Sequence, residues 1–241
     1  MRVLSIPFTG IVGVLALACS NNSNGPTAPI SPSYNPTLPT SWAASVTNPY
    51  FPLKAGTTYQ YKEKTATGGE TITIEVLTEK RTVNGVSATV VRDRVYDNGQ
   101  LIEDTFDWYA QDSEGNVWYL GESVKDYKNG VVVSTEGSWE WGVDGALPGI
   151  QMWANPAAKV GTEYRQEYYK GHAEDWGKVI NVGQAVTVPF GSMTNCITIE
   201  ERVGLSPNDP HGLKSYCPQI GLASEGVVGE NGRVELLSRT P

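Results

Sequence analysis

Apolar and polar residues alternate through most of the chain after residue 48, and turn-forming residues separate the alternating runs. In the run 71–76, Ile72, Ile74 and Val76 occupy every second position, which is typical of a strand with one buried face. Asn84-Gly85 follows, and this pair is a strong signal for a type I′ hairpin turn. Further turn signals separate apolar runs at residues 97–99, 112–115, 128–130 and 230–232. The pattern predicts an antiparallel meander of about a dozen strands.

The run 102–108 illustrates what this alternation implies for individual side chains. It predicts one buried apolar face and one polar face in solvent. The apolar face contains Ile102, Phe106 and Trp108, and the polar face contains Glu103, Thr105 and Asp107.

No stretch combines a helical period with capping signals, and the longest interruption of the strand pattern is 142–161, rich in Gly, Ala and Pro. We therefore predict a single all-β domain over residues 48–241, either a large antiparallel barrel or a two-sheet sandwich. The interruption is long enough to be a functional loop or a cover over one barrel end.

The N-terminus has the pattern of an export signal over residues 1–18, with Arg2 before a short apolar stretch. The stretch ends in Leu15-Ala16-Leu17-Ala18-Cys19, which resembles the lipobox of bacterial lipoproteins. That resemblance implies that Cys19 carries fatty acyl chains and becomes the first residue of the mature protein. Ser20 after the cysteine implies the outer membrane of a two-membrane cell, whereas plain secretion with cleavage near Ala18 is the alternative.

Residues 19–47 consist mainly of Ser, Asn, Pro and Thr. Such a composition buries too little apolar surface to offset the entropy of ordering, so we predict a flexible tether between the lipidated cysteine and the domain. Tyr34 and Trp42 are exceptions, and either could dock on the domain or at the lipid interface.

Two further cysteines, Cys196 and Cys217, lie 21 residues apart in a chain with an export signal. An even pair in an oxidising compartment predicts a disulfide. A thiol nucleophile or a metal pair is the competing interpretation.

The charge balance restricts the function classes. The chain has 26 acidic and 18 basic residues, a formal charge of −8, which argues against binding nucleic acid because affinity for phosphates depends on Lys and Arg. His172 and His211 are the only histidines, so a multi-histidine metal site within one chain is excluded. No glycine-rich phosphate loop follows a strand and opens a helix, and we predict no metal or cofactor.

Several strings resemble a widespread group of uncharacterised bacterial secreted proteins and lipoproteins. They are the opening at 48–59 (NPYFPLKAGTTY), DWYAQD at 107–112, GNVWY at 115–119, GSWE at 137–140, GVDGALPGI at 142–150 and YRQEY at 164–168. The resemblance implies a β-rich envelope protein and carries over no catalytic residue.

A candidate binding surface lies between residues 139 and 176, where four of the seven tryptophans are interleaved with charged residues. Aromatic rings beside carboxylates and an arginine suit a sugar, although large aromatic side chains also dominate ordinary cores. The candidate residues are Trp139, Glu140, Trp141, Asp144, Trp153, Arg165, Glu167 and Trp176.

Paired carboxylates such as Glu140 with Glu167, or Asp144 with Glu174, could serve a glycoside hydrolase. A chain with 26 acidic residues produces such pairs by chance, so we assign no catalytic residue.

The sequence favours a non-enzymatic, lipid-anchored envelope protein that binds or braces a partner, for example as an extrinsic stabilising subunit of a light-harvesting or electron-transfer complex. An apolar ligand inside a barrel is another candidate partner. The alternative function is a glycan-binding or glycan-hydrolysing envelope protein.

Overall fold

The computed structural model describes residues 34–63, 69–230 and 232–241. The predicted signal peptide, Cys19 and the first part of the predicted tether lie outside these residues. The described chain forms one antiparallel sheet of 15 strands that is nearly closed into a barrel. The prediction of an all-β antiparallel meander is confirmed, and of the two architectures left open the chain adopts the barrel.

The strands are β1 (Thr58–Glu63), β2 (Glu70–Val83), β3 (Val86–Asp97), β4 (Gln100–Gln111), β5 (Val117–Lys128), β6 (Val131–Ser134), β7 (Trp139–Glu140), β8 (Leu147–Met152), β9 (Glu163–Arg165), β10 (Glu167–Tyr168), β11 (Trp176–Val188), β12 (Gly191–Arg202), β13 (Gly212–Cys217), β14 (Gly221–Val227) and β15 (Arg233–Thr240). A short 3-10 helix spans Pro156–Lys159. In the sheet the strands follow the order β10-β8-β5-β4-β3-β2-β1-β15-β14-β13-β12-β11-β9, and β6 and β7 pair with β5.

Tight turns connect most neighbouring strands. Between β2 and β3, Asn84 and Gly85 have φ angles of 44° and 83°. Positive φ at both central residues is the requirement of a type I′ turn, whose twist matches that of the strands. The turn between β3 and β4 has the same form at Asn98 and Gly99, with φ angles of 47° and 81°.

One short segment, residues 163–168, brings the two ends of the sheet together. Its first part, β9, pairs with β11, and its last part, β10, pairs with β8. Only Gln166 separates the two strands. One nearly continuous extended segment therefore pairs with β11 at one end of the sheet and with β8 at the other. We call residues 163–168 the closing segment.

The strand β8 lies within 142–161, where the sequence predicts only an interruption. Pro148 and Gly149 weaken the strand signal, because proline and glycine are both depleted in strands. Pro148 lies near the start of β8, opposite Glu167 of the short strand β10. Gly149 is required because a Cβ atom there would lie 2.3 Å from the backbone carbonyl of Gln166.

The interior of the barrel contains polar as well as apolar side chains. Phe51 contacts Tyr109 of β4 and Tyr216 of β13, at 5.0 and 6.1 Å between ring centroids, so these two distant strands face one enclosed space. Thr105 and Asp107 are each only 2% exposed. The prediction that they face solvent is therefore wrong. This barrel encloses polar groups as well as apolar ones, so the alternation of apolar and polar residues does not show which face of a strand points inward.

Two further features add to the strand pairs of the sheet, a disulfide and a docked segment. The disulfide between Cys196 and Cys217 joins β12 to β13. Residues 34–47, the second half of the predicted tether, lie against the barrel: Trp42 contacts Trp118 and Trp141, each at 6.2 Å between centroids. The backbone NH of Ala43 donates to the carbonyl of Gln111 at 2.8 Å.

We expect Gly149→Ala to destabilise the protein, because the added methyl group overlaps the backbone of the closing segment. Overpacking of this kind typically costs about 1–3 kcal/mol, which lowers the melting temperature of a domain of this size by roughly 2–12 °C. Gly232→Ala is the matched control, because its nearest atom would lie at 3.6 Å, an ordinary contact. Thermal unfolding of both variants checks the expectation, and equal melting temperatures would contradict it.

Candidate functional site

A groove of about 700 Å³ lies between residues 34–40 and the barrel. A groove of this size is in the range of small-molecule sites. Strands β5, β8, β9 and β11 contribute to its walls, and both aromatic and polar side chains line it. Its lining residues outside 34–40 are Asp112, Ser113, Glu114, Asn116, Trp118, Ile150, Trp153, Glu163, Tyr164, Arg165 and Trp176.

Trp153 provides an aromatic wall of the groove just after β8. Its ring is half-buried and meets the edge of Tyr164 at 5.4 Å between centroids. The ammonium of Lys159 lies 4.4 Å from its ring centroid. The indole Nε1 is buried and has no hydrogen-bond partner within the described part of the chain.

Arg165 ends β9 and also lines the groove. Its guanidinium donates to the backbone carbonyl and the carboxylate of Glu174, at 2.7 and 3.0 Å. It also lies 4.0 Å from the ring centroid of Trp176, a distance typical of a cation–π contact. Burial lowers the pKa of Arg165, while the Glu174 carboxylate opposes that shift. The ion pair therefore fixes the position of the half-buried Trp176 ring.

The structure brings three of the eight candidate surface residues into the groove: Trp153, Arg165 and Trp176. Trp139 and Glu167 instead lie inside the barrel, where the indole Nε1 donates to the carboxylate at 2.8 Å. Trp141 is buried and packs against Trp42. The remaining two, Glu140 and Asp144, do not line the groove.

The carboxylates considered for hydrolysis occupy separate environments. Glu140 accepts hydrogen bonds from Arg81 at 2.5 and 3.0 Å on the barrel surface, and Asp144 is exposed in a turn. Glu167 accepts from Trp139, and Glu174 pairs with Arg165. Neither proposed pair is thus held as two carboxylates facing each other across an open cleft, the arrangement that glycoside hydrolysis requires.

A belt of acidic side chains inside the barrel was not identified from the sequence. Asp107 of β4 lies directly opposite Glu122 of β5, and both are buried. The Tyr119 hydroxyl donates to Asp107 at 2.5 Å. Burial raises the pKa of Glu122 to about 7, with Asp107 contributing in the same direction. The alternation predicted that Asp107 faces solvent, and no prediction was made for Glu122.

The same interior contains a buried ion pair on the opposite side of the barrel. The Lys214 ammonium is fully buried and lies 2.6 Å from the Glu201 carboxylate. Gln166 of the closing segment donates its side-chain amide to Glu201 at 2.8 Å. The closing segment is therefore connected to β12 and β13 through a buried polar network, in which loss of one partner is costly.

Within the described residues, no group of three or more His, Cys, Asp or Glu side chains is placed to hold a metal ion. The described part of the chain likewise contains no helix long and apolar enough to cross a membrane.

We expect the stability of Glu122→Gln, compared with that of the wild type at the same pH, to be more favourable at pH 8 than at pH 4.5. The wild-type pKa is raised from 4.5 to about 7, so the folded state retains a proton that the unfolded state loses between these values. The free energy of unfolding therefore falls as the pH rises through this window, by up to ~3 kcal/mol from this group, and a neutral glutamine avoids the loss.

Melting temperatures of the wild type, Glu122→Gln and the exposed control Glu136→Gln at pH 4.5 and pH 8 check this expectation. The control should follow the wild type at both values. If the melting temperatures of Glu122→Gln and the wild type differ by the same amount at both pH values, the raised pKa of Glu122 is contradicted.

Two solved structures are distantly similar to this chain. One is a protein assigned as exported, with a YmcC-like fold, from Bacteroides fragilis, with a TM-score of 0.44, 14% identity, and coverage of 80% of this chain and 99% of that one. The other is a protein assigned as a lipoprotein from Parabacteroides distasonis, with a TM-score of 0.39, 13% identity, and coverage of 79% and 98%. No protein-family model and no curated protein sequence matches. Similarity this remote transfers no activity to the chain.

Proposed function

We propose that this is a non-enzymatic, lipid-anchored protein of the cell envelope that binds a partner protein at the membrane surface. Cys19 would carry the anchor, as the lipobox resemblance implies. The Cys196–Cys217 disulfide supports an oxidising compartment outside the cytoplasm. The feature that favours a protein partner over other ligands is the strand β6, which pairs with β5 and lies off the main strand order.

The strand β6 presents three consecutive valines to solvent. Val131, Val132 and Val133 are 64%, 43% and 59% exposed. Because neighbouring side chains in a strand point to opposite faces, both faces of this strand are apolar and uncovered. Isolated apolar residues are common on surfaces, whereas a contiguous apolar strand is a feature of interaction sites.

The backbone of β6 adds a second reason for assigning a partner. Among the described residues, β6 pairs only with β5, so its outer edge has no neighbouring strand. An edge strand without a covering element is a template for another extended chain. A strand of a partner protein could pair with this edge through main-chain hydrogen bonds while its side chains cover the valines. An integral membrane complex that is stabilised from outside by this protein is one such partner.

We expect Val132→Lys to weaken the complex at least tenfold, because a charge at the centre of the apolar edge must be desolvated when a partner strand docks. Native gels of gently solubilised membranes, with the full-length protein detected, measure the fraction in a discrete complex. Val143→Lys is the matched control, since Val143 is 51% exposed in a turn outside β6. A Cys19→Ser variant should leave the membrane fraction.

The outcomes separate the parts of the proposal. A wild type that migrates only as a monomer, or a Val132→Lys variant that stays in the complex, would contradict the assignment of β6 as the partner site. Retention of Cys19→Ser in the membrane fraction would contradict the lipid anchor without bearing on β6.

The groove favours a second candidate function, which is glycan binding. Half-buried Trp153 and Trp176 line it together with the polar residues Asp112, Ser113 and Asn116. Aromatic rings can stack on the apolar face of a sugar while polar groups bind its hydroxyls.

We expect Trp176→Ala to abolish any glycan binding, while Trp176→Phe retains part of it because a ring is preserved. Quenching of tryptophan fluorescence by envelope polysaccharide fragments is the measurement for the wild type, and isothermal titration compares the variants. Absence of binding by the wild type, or full binding by Trp176→Ala, would contradict this function. The release of reducing sugar by the wild type would instead contradict a purely binding role.

A further inference from the structure

A second, smaller cavity lies inside the barrel and plays no part in the proposed function. Its volume is about 50 Å³, and it lies between the chain at 51–53, the strands β1 to β4 and residues 220–222. Most of its walls are aliphatic or aromatic. The lining residues are Phe51, Pro52, Leu53, Tyr59, Tyr61, Ile74, Val91, Asp93, Asp107, Tyr109, Ile220, Gly221 and Leu222.

Two carboxyl groups are the acidic members of this apolar lining. Asp93 of β3 has a buried Oδ1 with no hydrogen-bond partner. Asp107 of β4 accepts a hydrogen bond from Tyr119 at its own Oδ1. Burial raises the pKa of Asp93 well above its ordinary value, and the Asp107 and Glu103 carboxylates act in the same direction. A buried carboxylate needs a compensating charge or a proton.

The described residues that line the cavity include no Lys, Arg or His. Arg239 lies 5.6 Å from the ring centroid of Tyr59, but it is not part of the lining and donates to the backbone carbonyl of Gln219. Lys214 pairs with Glu201 at 2.6 Å. The lining therefore contains no basic side chain, and Asp93 Oδ1 is the carboxylate oxygen of the lining without a hydrogen-bond partner.

The aromatic rings define which cation would fit. Tyr59 and Tyr61 stack at 6.5 Å between centroids, and Phe51 meets Tyr109 at 5.0 Å. Aromatic rings together with carboxylates are the usual surroundings of an organic ammonium group, because the rings attract the cation and also pack against its carbon atoms. A hydrated inorganic cation would gain little from such walls.

The volume limits the size of the ligand. One water-sized group needs about 10–15 Å³ of a cavity measured in this way, so 50 Å³ holds three or four non-hydrogen atoms. We propose that the cavity is a binding site for a small primary ammonium ion of this size, with the ammonium group at Asp93 and Asp107 and the carbon atoms among the tyrosine rings.

Ethylammonium, with three non-hydrogen atoms, is the probe for this site. We expect a saturable rise in the melting temperature of the wild-type mature domain with ethylammonium chloride, measured against sodium chloride at equal ionic strength, and a one-site isotherm by titration calorimetry. Ethanol has the same size without the charge and should give no saturable effect. Tetraethylammonium exceeds the cavity and should not bind.

Asp93→Asn is the variant that tests the site, since it keeps the shape of the side chain and removes its charge. We expect ethylammonium to bind this variant at least tenfold more weakly, because a charge-assisted contact is lost. Asp97→Asn, at the exposed end of the same strand, is the control and should bind like the wild type.

Three outcomes would overturn the proposal. They are no saturable response of the wild type to ethylammonium, an equal response to ethanol, and unchanged binding by Asp93→Asn. The first of these would mean that a proton alone neutralises Asp93. If Asp93→Asn does not fold, the series of ethylammonium, ethanol and tetraethylammonium on the wild type still decides the question.

Discussion

The closing segment is the constraint on which the rest of the molecule depends. An antiparallel meander has two edges, and here both edges pair with six consecutive residues, 163–168. The segment pairs with Leu147 and Pro148 of β8 and with residues 176–178 of β11, and so covers part of the backbone at the sheet ends that could otherwise pair with other chains. This arrangement works only because Gly149 has no side chain where the Gln166 backbone passes. The side chain of Gln166 then binds Glu201, so the same residue also joins the buried polar network.

Closure also explains why so many acidic groups are tolerated inside. A nearly closed barrel excludes water, and each buried carboxyl then binds a proton, a cation or a hydrogen-bond donor. Glu201 uses Lys214, Glu167 uses the indole of Trp139, and Asp107 uses the hydroxyl of Tyr119. Glu122 instead keeps a proton to a higher pH, since burial raises its pKa to about 7. The interior is therefore sensitive to pH to a degree that an apolar core is not.

The local parts of the fold were predictable from the sequence, whereas its long-range parts were not. The alternation at Ile72, Ile74 and Val76 and the turn at Asn84-Gly85 depend only on neighbouring residues, and both were predicted correctly. The pairing of β1 with β15 joins residues at opposite ends of the domain, as Thr58 with Thr240, and no short pattern encodes it. This pairing and the closing segment decide between a barrel and a sandwich.

The candidate site was predictable to a similar extent. Trp153, Arg165 and Trp176 were identified by residue type, but only closure brings them into one groove. Trp139 and Glu167 have the same residue types and lie in the interior, because the face of a strand on which a residue lies depends on register. The valines of β6 and the pair Asp93 and Asp107 were not selected, since exposure and enclosure are properties of the folded chain.

The docking of residues 34–47 has a mechanical consequence. Tyr34, the first described residue, donates its hydroxyl to the carbonyl of Pro148 in β8 and contacts the ring of Tyr168 in β10. Pro148 itself pairs with Glu167 of the closing segment. A tensile load on the chain before residue 34 would thus be delivered first to the place where the barrel closes. The two side-chain contacts of Tyr34 would bear the load before the backbone hydrogen bond between Ala43 and Gln111 does.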